Sequence, residues 1–464
     1  MGLPMRVILF AIALILPAWT QEKPRLFVLT DIANEPDDEE SLVRLLVYSN
    51  EFEIEGLVAT TSCWLKQSPR EDLIRRQLDA YDKVHGNLRI HASGYPSAEA
   101  LRQVTCTGQK DYGLADSGEN KASDGSRLLR VAAGKNDPRP LWVTVWGGGN
   151  TLAQMLTDAR RECSAEELAR LVSKLRVYSI SDQDDAGPWL RREFPQLFWI
   201  VSPSNPDAMK YHESTWSGIS GDRHSKTGVF HHFDMVDNPW LEKNVIHGHG
   251  PLGALYPKLA YLMEGDTPCW LGLIDNGLGW SESPGYGGWG GRYQFYRPSG
   301  EARTIWTNNR DSRDTVTAQD GKSYTSDQAT IWRWREHFQN DFAARMDWCI
   351  ADDFKKANHN PVAVLNGDKT KGILRISSKP GETVDLSAKG SGDPDGSPVS
   401  AKWWIYPEAG TMKGSVALSE STGLTTSLKL PDDAKGELHV ILQLEDNGEP
   451  RLVSYRRAII RVLP

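Results

Sequence analysis

Cysteine is scarce in this 464-residue chain: Cys63, Cys106, Cys163, Cys269 and Cys349, scattered and odd in number. They form no CxxC pair and no zinc-ligand spacing. A disulfide scaffold and a structural zinc module are therefore excluded, although one or two bridges remain open. No Lys/Arg tract is present and the net charge is -8, so nucleic acid is not an expected partner. Long apolar runs are missing after residue 20. The single run, residues 7–16, is about half of the ~20 residues a membrane span needs. Arg6 precedes it and Ala18-Trp19-Thr20 ends it, which predicts a signal peptide over 1–20 and a secreted or periplasmic protein. Internal repeats and low-complexity tracts are also missing.

What the chain does have is an acidic knot. Residues 26–30 (Leu-Phe-Val-Leu-Thr) read as a short buried strand. Asp31, Glu35, Asp37, Asp38, Glu39 and Glu40 follow within ten residues, and then a helical pattern at Leu42, Leu45 and Leu46. Six carboxylates so close repel one another. Helix capping explains one or two of them. A divalent cation and a polar substrate at the carboxyl end of a strand explain the crowding, with Glu39 and Glu40 left as solvated first-turn residues. Oxygen ligands without cysteine favour Ca²⁺, or Mg²⁺, over zinc.

Strand and helix patterns alternate from residue 24 to about 200, which predicts an α/β domain on a mostly parallel sheet. Strands are expected over 54–60, 88–90, 141–146, 175–180 and 197–201. Several end in polar or glycine-rich loops on one sheet edge, where ligands bind. One such loop is Gly147-Gly148-Gly149-Asn150, which lacks the Lys-Ser/Thr of a P-loop. Another is Ser181-Asp182-Gln183-Asp184-Asp185, where sugar-hydroxyl binding by Asp182, Gln183 and Asp184 competes with helix capping. Residues 205–325 are rich in Gly, Trp and His, and 326–352 read as one strong helix closing a domain that spans 24–354. About eight short strands from 360 to 464 read as an Ig-like all-β sandwich. Its turns, Asp393-Pro394-Asp395-Gly396 and Asp446-Asn447-Gly448, look like those of polycystic-kidney-disease-type and cadherin-like sandwiches and suit plain β-turn chemistry, with a calcium site as the alternative. Seventeen tryptophans are present. Trp280, Trp289 and Trp306 lie in the glycine-rich loops, where exposure would let them stack on sugars or bases. Trp332, Trp334 and Trp348 read as core, and of Trp403 and Trp404 one should face the core.

The knot and the Gly149-Asn150 turn resemble the calcium-dependent nucleoside hydrolases. Across nearly the whole mature chain, phrases such as Ser181-Asp182-Gln183-Asp184-Asp185, Glu264-Gly265-Asp266-Thr267-Pro268 and Tyr286-Gly287-Gly288-Trp289-Gly290-Gly291-Arg292-Tyr293 resemble secreted bacterial nucleoside-hydrolase-like proteins once labelled cellulose-binding. The resemblance implies that Asp31 touches the metal and deprotonates its water. It implies that Asp38 is a metal ligand, that Asp37 and Asn150 meet the substrate, and that the Gly149 carbonyl completes the set. Three departures stand out. The first loop is two residues longer than the family signature. Leu29 replaces the usual acid. His249-Gly250-Pro251-Leu252 carries glycine where the family has a metal-binding aspartate, so Asp266 is the candidate substitute. His247 and His249 are candidates to protonate a leaving group, against an ordinary flexible turn. Trp289 is a candidate substrate contact. The expected activity is metal-dependent hydrolysis of an N-ribosyl or furanosidic bond in a sugar, nucleoside-like or glycan substrate. The alternative is a non-catalytic exported carbohydrate-binding protein on the same fold. A purely structural adhesin would leave the knot unexplained.

Overall fold

The computed structural model describes residues 22–33, 35–202, 208–221 and 231–463; the expected signal peptide over 1–20 lies outside them. Its centre is β1 (Arg25–Thr30), in which every residue is buried. Leu26 and Val28 point to one side and Phe27 and Leu29 to the other, each set in its own apolar core. A strand flanked by helices on both faces must be apolar throughout, which is why its sequence shows no polar alternation.

β1 pairs in parallel with β2 (Glu53–Ala59) and with β4 (Leu141–Val145). With β3 (Thr105–Thr107), β5 (Leu175–Ser179), β6 (Phe198–Val201), β7 (Gln294–Tyr296) and β8 (Ile305–Thr307), the sheet runs β3-β2-β1-β4-β5-β6-β8-β7. All its pairings are parallel except β7–β8. One core holds α1 (Pro36–Val47) and α2 (Glu71–His91). The other holds α4 (Asp124–Gly134), α5 (Asn150–Glu162), α6 (Ala165–Lys174) and α7 (Ala186–Glu193). The short α3 (Ala98–Gln103) follows α2. The strand order reverses between β1 and β4, and the crevice at such a switch point is where open α/β sheets bind ligands. The acidic knot and the glycine loop leave the sheet side by side there.

Two local expectations are corrected. Residues 88–90 are the last turn of α2 and not a strand: the apolar face at Leu78, Tyr81, Val84 and Leu88 continues at helical spacing. The helix expected over 326–352 is two, Ala329–Trp332 and Arg335–Trp348. The β9 (Asp314–Thr317) and β10 (Ser323–Ser326) hairpin precedes them.

The C-terminal part has a four-stranded sheet, β11-β16-β15-β13, and a two-stranded one, β12-β14. These are β11 (Leu374–Ser378), β12 (Thr383–Ser387), β13 (Ser400–Ile405), β14 (Thr425–Lys429), β15 (Gly436–Glu445) and β16 (Val453–Val462). Of the short strands expected from residue 360 on, 361–365 and 416–418 contribute isolated bridges only. All five cysteines are free.

The sandwich docks on the glycine-rich loops through a shared core: Tyr406, Ile441, Val453 and Tyr455 join Trp289, Trp334 and Phe338 in one cluster. The Arg457 guanidinium donates to the carbonyls of Leu278 at 2.7 Å and Gly287 at 2.8 Å. A Cβ at Gly277 would sit 1.8 Å from the Tyr455 carbonyl oxygen, so only glycine fits that seam. This explains the tryptophans. Trp280 and Trp289 are each 2% exposed and Trp306 is half-buried; the loops that carry Trp280 and Trp289 are covered by the sandwich. Trp289, expected as a substrate contact, is core. Trp332, Trp334 and Trp348 are core as expected, and so is Trp403, while Trp404 is half-buried.

Candidate metal and active site

β1 ends at Thr30, whose hydroxyl accepts the Ile32 N–H at 3.1 Å and donates to the Asp38 carboxylate. This turn folds the first loop back on the start of α1. Pro36 opens that helix, and Asp37, Asp38 and Glu39 occupy its first turn. Ala33 in the loop has φ 121°, a conformation that costs a non-glycine residue free energy and marks a loop held by its surroundings.

Asp31 is 4% exposed and lies against the exit of β4: a Cβ at Gly147 would be 2.4 Å from its Oδ1. The Ser62 side chain, at the end of β2, hydrogen-bonds it. The glycine therefore serves close approach of β4 to Asp31.

Asp37, Asp38 and Asp266 each offer a carboxylate oxygen within 4.8 Å of the other two. Asp266 arrives from 228 residues downstream of Asp38 through a buried anchor. Glu264 pairs with Arg44 of α1 at 2.6 Å, accepts the Tyr256 and Thr267 hydroxyls at 2.8 Å each, and its own N–H donates to Glu40 at 2.9 Å. Glu40 is fully buried, not solvated as expected: it tethers the Asp266 segment. Glu264, Arg44 and Glu40 were missed as site residues. Their signal was a charged pair one helix turn apart, Glu40 and Arg44, and a distant acid, with nothing in the spacing to join them.

The acids raise one another's pKa. Burial, then the charges of Glu35 and Asp31, pushes Asp37 up to about 8. Asp38 and Asp266 stand well above the carboxylate range, first from burial and then from their acidic neighbours. Asp31 is raised by burial, and Glu35 by burial and Asp31. Asp266 Oδ2 is buried without a partner. Three converging carboxylates, with the Asp266 Oδ2 buried and orphaned, in a field of like charge fit a hard divalent cation, which would supply the missing compensation.

The other expected residues lie elsewhere or are occupied. The Gly149 carbonyl accepts the Ala153 N–H at 3.0 Å. It begins the α5 ladder and is directed along that helix. The Asn150 amide donates to the Asp111 carbonyl at 2.9 Å and ties down a loop. Asp184 receives the N–H groups of Asn150 and Ala186, each at 3.0 Å; it caps two helices, and burial pushes it up to about 7. Gln183 donates to the Trp146 carbonyl at 2.5 Å. Asp182 makes a bidentate pair with Arg191, at 2.8 and 2.7 Å. His249 pairs with Asp347 at 3.1 Å, at the end of the last helix, and neighbouring Gly250 faces Val84 and Ile350. That setting packs His249 against the last helix, with its Nδ1 buried and without a partner. Asp182→Ala should lower stability by about 3 kcal/mol, the low end for a broken buried pair because Glu301 still faces Arg191. A denaturant melt checks this; a raised KM at unchanged stability would restore Asp182 as a substrate contact.

Residues 25–293 match the family model described as cellulose-binding Sde182, nucleoside hydrolase-like domain. Residues 383–462 match that of the cellulose-binding protein Sde0182 C-terminal domain. A solved structure is similar along its whole length: a nucleoside hydrolase-related hypothetical protein from Saccharophagus degradans associated with carbohydrate metabolism. It is 36% identical, with a TM-score of 0.81 over 95% of this chain and 100% of that one. The effector protein XOO4466 is 11% identical, with a TM-score of 0.33 over 72% of this chain and 95% of that one. No curated protein matches.

Proposed function

The chain belongs to the Sde182 nucleoside hydrolase-like family, and on that premise we propose that it hydrolyses a glycosidic bond, N-ribosyl or furanosidic, with the help of a divalent cation. The observation that carries the reading is the convergence of Asp37, Asp38 and Asp266, with the orphaned Asp266 Oδ2, beside the buried Asp31.

Each residue then has a task. Asp37, Asp38 and Asp266 would hold Ca²⁺, or Mg²⁺, by one oxygen each. Such an ion lowers the pKa of a water and brings it into the reach of a nearby base. Asp31, outside the trio but at its side, accepts the water's proton; burial raises its pKa, which strengthens it as a base. The Ser62 and Gly147 contacts fix its carboxylate. Thr30 holds Asp38 so that its second oxygen is left for the ion. An oxocarbenium-like centre developing on the sugar would lie among carboxylates that attract it.

A second reading, carbohydrate binding without turnover, is supported by the description of both matching family models as cellulose-binding. A panel of nucleosides and p-nitrophenyl furanosides, with Ca²⁺ and with EDTA, separates the two. Turnover that EDTA abolishes supports hydrolysis. Sugar affinity with no turnover on any member supports binding alone.

A further inference from the structure

A cleft of about 390 Å³ opens between the last helix of the α/β part and the sandwich, within the usual range of small-molecule sites. Neither the knot nor any residue discussed with it lines this cleft. Helix residues Glu336, His337 and Asn340 form one wall, and Trp404 and Gln443, from β13 and β15, the other. β13 has period-two alternation, so Trp403 fills the sandwich core and Trp404 turns to the cleft. Its indole is steadied by Trp334, with ring centroids 5.6 Å apart, and by the Arg333 guanidinium at 4.9 Å.

The charges of the walls are already satisfied. Arg451 pairs with Glu445 at 3.0 Å, Arg333 with Asp314 at 2.7 Å, and His232 faces Glu336 at 3.4 Å. Burial holds His231 down to about 4 and His337 down to about 3, so both imidazoles are neutral at pH 7. Lys402 is exposed at the rim, where solvent screens it. What remains to meet a ligand is the Trp404 indole, the Asn340 carboxamide, the Gln443 carboxamide oxygen and His231, whose Nδ1 has no partner; His337 is held by Tyr455 and Gln443, and the Thr317 hydroxyl by Ser323 at 3.1 Å. This set has apolar area and both donors and acceptors, with no uncompensated charge deep in the cleft.

We propose that this interdomain cleft is a second binding site, for an uncharged polyhydroxylated ring such as a neutral oligosaccharide, with Trp404 as its stacking platform and Asn340 and Gln443 as hydroxyl contacts. The site works independently of the acidic knot.

Isothermal titration of the full chain with cellobiose and cellotetraose, and with glucuronic acid as a charged control, tests this. A neutral sugar should bind, Trp404→Ala should weaken it at least tenfold, and Asn340→Ala should weaken it severalfold. Asn340 is half-buried on a helix, so its variant keeps the test valid if Trp404→Ala does not fold. Asp38→Asn should leave this affinity unchanged. Failure of both neutral sugars to bind, preference for glucuronic acid, or affinity that survives both cleft variants overturns the proposal. Loss of affinity in Asp38→Asn with none in the cleft variants also overturns it, and leaves the hydrolytic reading of the knot standing.

Discussion

Asp31→Asn lowers kcat by on the order of 10²–10⁴-fold on any substrate the chain turns over, the usual contribution of a positioned general base. The amide keeps the shape of the carboxylate, so Gly147 is not crowded and the fold persists. It cannot take a proton, so the loss falls on kcat while KM stays close to its original value. The metal-free variant melts above the metal-free parent at neutral pH, because one of several mutually repelling buried charges is gone. Steady-state kinetics and a thermal melt in EDTA check both halves. Undiminished kcat would remove Asp31 as the base, whatever the cation does.

Asp266→Asn removes the response to Ca²⁺. A ligand at a hundred times its Kd stabilises the native state by about 2.7 kcal/mol, and the parent should gain that in a melt as Ca²⁺ is added. The variant should gain almost nothing and hydrolyse nothing faster than an EDTA-treated sample. The pH dependence has a definite sign. In EDTA the knot acids have folded pKa values above their unfolded ones, so the stability they add is full below about pH 4. It is lost as pH rises through the folded values, which reach about 8 at Asp37. Stability in EDTA therefore falls from pH 5 to pH 8. Saturating Ca²⁺ should reverse that slope, since only ionised carboxylates hold the ion. An unchanged slope with Ca²⁺ would sink the trio as a cation site.

The parallel sheet was legible in the sequence because fully buried strands and amphipathic helices leave strong periods. The crowding of Asp31, Asp37 and Asp38 was legible for a different reason: like charges gathered at a strand end need an external cause. Asp266 could be nominated from the sequence, but its arrival depends on the buried Arg44–Glu264 pair and on Glu40, which lie on segments with no common pattern. Asp182 and His249 mark the limit of such reading. Polar residues at a loop look the same whether they face a ligand or a buried partner. Arg191 and Asp347 are the partners here, and only the folded chain selects them. Trp289 belongs to the same class, since part of its cover is Tyr455, on a strand 166 residues downstream.

The docking seam has a consequence for how the molecule comes apart. Tyr455 of β16 sits beside Trp289 and Trp334 and meets the His337 ring at 2.5 Å, so the last strand of the sandwich completes the interior of the α/β part. Independent domains would melt in two steps. Here the sequence boundary near residue 360 is no fault line: calorimetry should record one joint transition, and a chain ended there would expose the indoles and be prone to aggregate. Ca²⁺ added at the far sheet edge should then slow amide exchange in β16, so that the sandwich reports on an ion it never touches.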